Sequence, residues 1–139
     1  YNSFKGTAAA VTALIEERVD AGWVYTTAGV KYSSKVRMLA VAMGKRHAKF
    51  PDVPTFHELG YDFVGGAYRG IAVPNTTPED IRMKISDIFA EIDRKPAYLA
   101  EKAALGFVPL SVGYKDIPAF MTLRRVEYLP LAREAGLID

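Results

Sequence analysis

Four short strand-like runs, at 19–25, 36–43, 68–73 and 107–112, alternate along this chain with stretches whose apolar residues recur at helical spacing. That alternation constrains the fold more than any other feature. Strands separated by helices are not joined as tight hairpins; they pair in parallel, with helices laid over the sheet. The run at 36–43 holds the longest apolar stretch, Met38 to Met43, and reads as a strand covered on both faces. The expected class is therefore α/β. Residues 1–5 read as a short extended start that ends at Gly6.

The helical stretches carry recognisable ends. After Gly6, Thr7 is placed to cap, and Ala8, Val11, Leu14 and Ile15 follow at helical spacing. Further on, Thr77 suits a cap and Pro78 the first helical position, while Glu79 and Asp80 sit at the positive end of the dipole. Ile81, Ile85, Ile88, Phe89 and Ile92 then form one apolar stripe. A third helix follows Pro96 and stops at Gly106, and a last one starts near Asp116, to be kinked or ended by Pro130. Between these lies a loop-rich segment, 44–66, with a short helical turn expected at 55–59. The pair Gly65-Gly66 marks the expected passage from one structural unit to another.

Composition removes several classes of function. Half of the 139 residues are hydrophobic and 24% are charged, which suits a globular core and not a disordered tail. Eighteen basic residues against sixteen acidic ones leave a net charge of +2, too balanced for a dedicated nucleic-acid binder. Six consecutive apolar residues fall far short of the ~20 that a membrane helix needs. The opening Tyr-Asn-Ser-Phe-Lys carries no signal-peptide pattern. With no cysteine there is no disulfide, thiol nucleophile or thiolate metal site, and the compartment stays open.

Side chains that could carry chemistry are sparse. His47 and His57 lie in the loop-rich segment without a metal-binding spacing, so each reads as a surface or loop histidine. His57 and Glu58 are neighbours, about 100° apart on a helix, and do not converge on one atom. No serine sits in a GxSxG elbow or an SxxK pair, and neither phosphate-cradling glycine motif is present. The run from Lys45 to Lys49 reads as a solvated loop. One local pattern stands out: Lys5-Gly6-Thr7-Ala8-Ala9-Ala10, a glycine turn opening a helix with small side chains. Bare first-turn amides at the positive end of a helix suit a carboxylate, although an ordinary βα turn has the same pattern.

FKGTAAAVTALIEERVD, VRMLAVAMGKRHAKFPDVPTFHELGYDF and YRGIAVPNTTPEDI occur in that order, followed by LGFVPLSVG and a final REAGL. Together they resemble the receptors of tripartite tricarboxylate transporters, the TctC-like or Bug family of solute-binding proteins. PDVPTFHELG is the most specific piece. The resemblance implies a periplasmic-binding-protein, or Venus-flytrap, type of α/β fold, of which this chain looks like the C-terminal half. Residues 1–64 would be part of the second ligand-binding lobe, 65–74 the crossover, and 75–139 the return to the first lobe.

It further implies a periplasmic receptor, not an enzyme, that captures a small carboxylate without a cofactor and presents it to membrane permease subunits. Sensory binding to a membrane kinase and an enzyme on the same fold are the rival roles. By resemblance the ligand is held at Gly6, Thr7, Ala8 and Ala9, with Tyr25 and Thr26 at a strand end and Tyr68 and Arg69 at the crossover. Arg69 is equally suited to a ligand carboxylate and to a salt bridge between lobes. The family's usual glycine pair before VD is here replaced within Glu16-Glu17-Arg18. Half a flytrap leaves sheet edges and apolar faces uncovered, so self-association of a free chain is expected.

Overall fold

The computed structural model describes residues 2–139, so Tyr1, part of the expected extended start, lies outside the described residues. Among the described residues five α-helices form: α1 (Thr7–Ile15), α2 (Thr26–Lys31), α3 (Glu79–Asp93), α4 (Pro96–Ala104) and α5 (Ile117–Glu134). Single 3-10 turns lie at His57–Leu59 and Tyr114–Asp116. The chain divides into two compact units. The first runs through Gly70 and includes Ala100–Val108; the second comprises Ile71–Leu99 and Pro109–Asp139.

Helix ends fall where backbone chemistry puts them. Gly6, not Thr7, is the N-cap of α1, and Pro78 takes the N-cap of α3 with Glu79 and Asp80 in the first turn. α4 closes on Gly106 at φ +83: Phe107 N donates to Lys102 O and Gly106 N to Ala103 O, the paired bonds of a Schellman motif. α5 runs four residues beyond Pro130 before the same pair of bonds closes it at Gly136. One missing amide inside the helix does not end it here.

The expected strands do not form ladders. Among the described residues the β pairing is one isolated parallel bridge, Val41 to Thr55, made by Val41 N to Pro54 O (2.9 Å) and Phe56 N to Val41 O (3.2 Å). Within the 36–43 run Val41 is buried while Leu39 is 58% exposed, so burial there is not continuous. Trp23, Ile71, Val108 and Leu110 are exposed as well. An apolar run states a preference for burial; a strand also needs a neighbour that exchanges N–H and C=O groups with it. Total accessible surface is 10,974 Å², against about 7,100 Å² for a folded monomer of this mass. Much apolar surface has no partner within the chain.

Packing in the first unit centres on buried Val11, Ala13, Ala28 and Val41, with Thr55 and His47 also buried. α2 sits tightly on its neighbours: a Cβ on Gly29 would lie 2.7 Å from Met38 Sδ and 3.1 Å from Phe50 Cζ. Trp23 stacks on Phe56 at 5.2 Å, and Phe63 packs edge-on against both. The loop at 44–60 is stapled by polar groups. Thr55 N donates to Glu58 Oε2 (2.8 Å) and Glu58 N donates to Thr55 Oγ1 (3.1 Å), a capping box. Arg46 completes the staple, donating to both Glu58 carboxylate oxygens and to Pro51 O. His47 lies in this loop but is not at the surface: Lys49 N donates to its Nδ1 (3.1 Å) and its ring meets Phe50. His57 is exposed.

In the second unit the turn at Tyr114–Asp116 ties α3 to α5. Tyr114 N donates to Ser86 Oγ (2.9 Å), and the Arg82 guanidinium lies 5.3 Å from the Tyr114 ring centre. Ile81, Ile88 and Phe89 of the α3 stripe are exposed.

Candidate functional site

Gly6 enters α1 with φ 134 and ψ 174, a region open in practice to glycine alone. The first bond of the helix runs from Ala10 N to Gly6 O, so the amides of Thr7, Ala8 and Ala9 precede the intrahelical ladder. No side chain caps this end and no acidic residue lies in its first turn. Among the described residues beyond its chain neighbours, nothing lies within 4 Å of where a Gly6 Cβ would project. The positive end of α1 is therefore uncompensated within its own turn and open on the glycine side.

This turn borders a depression of about 430 Å³ within the first unit. Thr7 and Ala8 form one part of its wall, Thr27, Ala28, Val30, Lys31 and Tyr32 of α2 a second, and Ala104, Leu105 and Phe107 a third. Among these lining residues Lys31 carries the sole charge, and its Nζ lies 5.2 Å from the Tyr32 ring centre. A helix N-terminus and an ammonium with no carboxylate in the lining make a site of positive character, suited to a small anion. Another depression, about 490 Å³, follows one face of α5 from Thr122 to Arg133 and brings no second element into play.

The third wall is fixed by close approach. Thr26 Oγ1 donates to Gly106 O at 2.8 Å, and a Cβ on Gly106 would fall 2.6 Å from Val30 Cγ2. The Schellman turn after α4 is thus seated directly on α2. Arg69 and Lys102 reach the Phe107 ring, at 5.9 and 5.1 Å from its centre.

Of the residues singled out in the sequence, Thr7 and Ala8 line the depression, with Gly6 and Ala9 on the same turn. Tyr25 is the N-cap of α2; its carbonyl accepts from Ala28 N and Gly29 N. Thr26 spends its hydroxyl proton on Gly106, and its neighbour Thr27 faces the depression instead. Arg69 stacks on Phe107, which lines the depression, and Tyr68 is exposed. Thr27, Lys31, Tyr32 and the 104–107 turn are not foreseen. The spacing of Thr27 and Lys31, four apart on one helix, was legible; the arrival of Leu105 and Phe107 from far along the chain was not.

Residues 1–135 match the tripartite tricarboxylate transporter family receptor. The chain belongs to that receptor family. Members are binding proteins, not enzymes, of a periplasmic-binding-protein-like fold, and work in the periplasm with membrane transporter subunits. The chain is similar to the UPF0065 protein in the TAR-I ttuE-ttuC' intergenic region of Agrobacterium vitis, 34% identical over 112 residues, 78% of this chain and 32% of that one. A UPF0065 protein in the gbd 5' region of Cupriavidus necator is 32% identical over 62% of this chain and 26% of its own length. A UPF0065 protein of Bordetella bronchiseptica is 27% identical over 76% of this chain and 31% of its own. The chain thus spans between a quarter and a third of the length of these curated relatives. No helix among its described residues is long and apolar enough to cross a membrane.

Proposed function

We propose that this chain forms part of a periplasmic solute-binding receptor that captures a small di- or tricarboxylate for a tripartite transporter. The observation that carries the reading is the uncapped α1 N-terminus, opening beside a depression whose lining holds a cation and no carboxylate. The anion would sit on the amides of Thr7, Ala8 and Ala9, with Gly6 allowing close approach. Tyr25, Thr26, Tyr68 and Arg69 would shape the surroundings, Arg69 and Thr26 by holding the 104–107 turn. Residues 1–64 would belong to one lobe of a flytrap, 65–74 to the crossover and 75–139 to the return. The apolar runs would be strands of an α/β sheet whose neighbours lie outside this segment, which accounts for the large uncovered surface. A free 139-residue chain would self-associate through those faces. Lobe closure over the ligand would be the state that permease subunits read.

The test is calorimetry of di- and tricarboxylates on the longest native polypeptide carrying this sequence, beside the Ala8→Asp variant. A carboxylate in the first turn favours the helix itself but occupies the anion position. Micromolar binding to the unaltered protein, weakened at least tenfold in A8D with an undiminished melting temperature, is the expected result. Equal binding by the two proteins removes the α1 turn from the site.

A further inference from the structure

The chain passes between its two units three times, after Gly70, after Leu99 and after Val108. The second passage lies inside α4 and is carried by a continuous helix. The first and third lie outside any helix, and no β ladder holds them, since the one bridge among the described residues joins Val41 to Thr55. Within the first unit, all three meet at one ring. Arg69 stands just before the first passage, Lys102 shortly after the second and Phe107 just before the third. The Arg69 guanidinium lies 5.9 Å and the Lys102 ammonium 5.1 Å from the Phe107 ring centre. The ring is itself anchored: Phe107 N donates to Lys102 O (3.0 Å), and the adjoining Gly106 is seated on Val30 of α2.

We propose that Phe107 is a clamp: its ring gathers the first-unit ends of the three connections, so that they loosen together and not one at a time. Arg69 and Lys102 act through the ring and are positioning residues. An aromatic face attracts a cation through its quadrupole and is not discharged by it, so one ring serves two cations where one carboxylate would be neutralised by the first. Such a contact at a partly exposed site is weak. Loss of either cation therefore speeds local opening by roughly two- to fivefold and leaves the fold intact. The clamp does not depend on what the depression binds.

The longest native polypeptide carrying this sequence, unaltered or with Lys102→Met, Lys102→Arg, Arg69→Met or Phe107→Leu, is digested briefly with subtilisin. Mass spectrometry times cleavage within residues 66–74 and within 105–112. Each cation is read at the segment to which it does not belong, K102M at 66–74 and R69M at 105–112, where the cleaved sequence is unchanged. The expected result is cleavage faster by roughly two- to fivefold in both cross-readings, with parent rates in K102R. F107L should speed both segments, and cleavage within α3 and α5 should stay at the parent rate throughout. Loosening confined to each variant's own segment overturns the proposal, because Phe107 would then be local packing that couples nothing. Acceleration spread evenly over α3 and α5 overturns it too, since these residues would then serve global stability. So do unchanged rates in K102M and R69M.

Discussion

Thr26 and Gly106 are joined across 80 residues of sequence by one hydrogen bond, from the threonine hydroxyl to the glycine carbonyl at 2.8 Å. The contact exists because Gly106 has no side chain. At φ +83 it closes α4, and a Cβ there would strike Val30 Cγ2 at 2.6 Å and approach Thr26 O to 3.2 Å. The same residue that ends a helix therefore seats the third wall of the depression.

Gly106→Ala should cost roughly 2–4 kcal/mol, combining a left-handed non-glycine residue with an overpacked contact. Ligand affinity should fall with it, because Leu105 and Phe107 move with the turn. Denaturant melts and calorimetry on the same variant measure the two effects. A melt unchanged from the parent would mean that the turn is not seated on α2.

Glu17 has φ 56, the sole non-glycine residue with positive φ among those described. It occupies the place after α1 that a Schellman motif reserves for glycine: Arg18 N donates to Ala13 O and Glu17 N to Leu14 O. Glu17→Gly should raise stability by about 1 kcal/mol through relief of the left-handed strain, offset in part by unfolded-state entropy. Binding should be unaffected, since the substitution lies at the far end of α1 from Gly6. A thermal melt and a carboxylate titration check both halves, and a destabilised E17G protein would show that the glutamate side chain holds this end.

The hydrogen bond from Arg46 and then that from Thr55 N pull the Glu58 carboxyl down from its ordinary 4.5 to about 2. A carboxyl held below its unfolded value stabilises the native state above pH 4.5 and loses that contribution as pH falls toward 2. Glu58→Gln should therefore be less stable than the parent at neutral pH, and the gap should close between pH 4.5 and 2. Because the pair is exposed, high salt should narrow the gap too. Denaturant melts across that pH range follow the difference; a gap that stays constant would separate the loop's stability from this carboxylate.

Local chemistry made much of the chain legible in advance. Gly6, Pro78, Pro96 and Gly106 mark helix ends because a missing side chain or a missing amide acts on its own turn, whatever surrounds it. The 55–59 turn was readable for the same reason, although Thr55 and Glu58 proved to cap each other. The uncapped α1 N-terminus also belongs here, since its free amides are left over by the helix itself.

Pairing and convergence were not so encoded. Residues 19–25 and 36–43 carry the composition of strands, yet Trp23 and Leu39 stay exposed because a ladder depends on a second segment at the right distance. His47 reads as a surface loop residue, and only tertiary packing against Phe50 buries it. Lys31 lines a depression because Phe107 and Leu105 return to α2 after some seventy intervening residues. The sequence by itself determined where α1, α3 and α4 lie and which family the chain joins, but not α2 or the passage of α5 through Pro130; the tertiary structure alone decided which walls meet, because that depends on contacts between residues that share no local pattern.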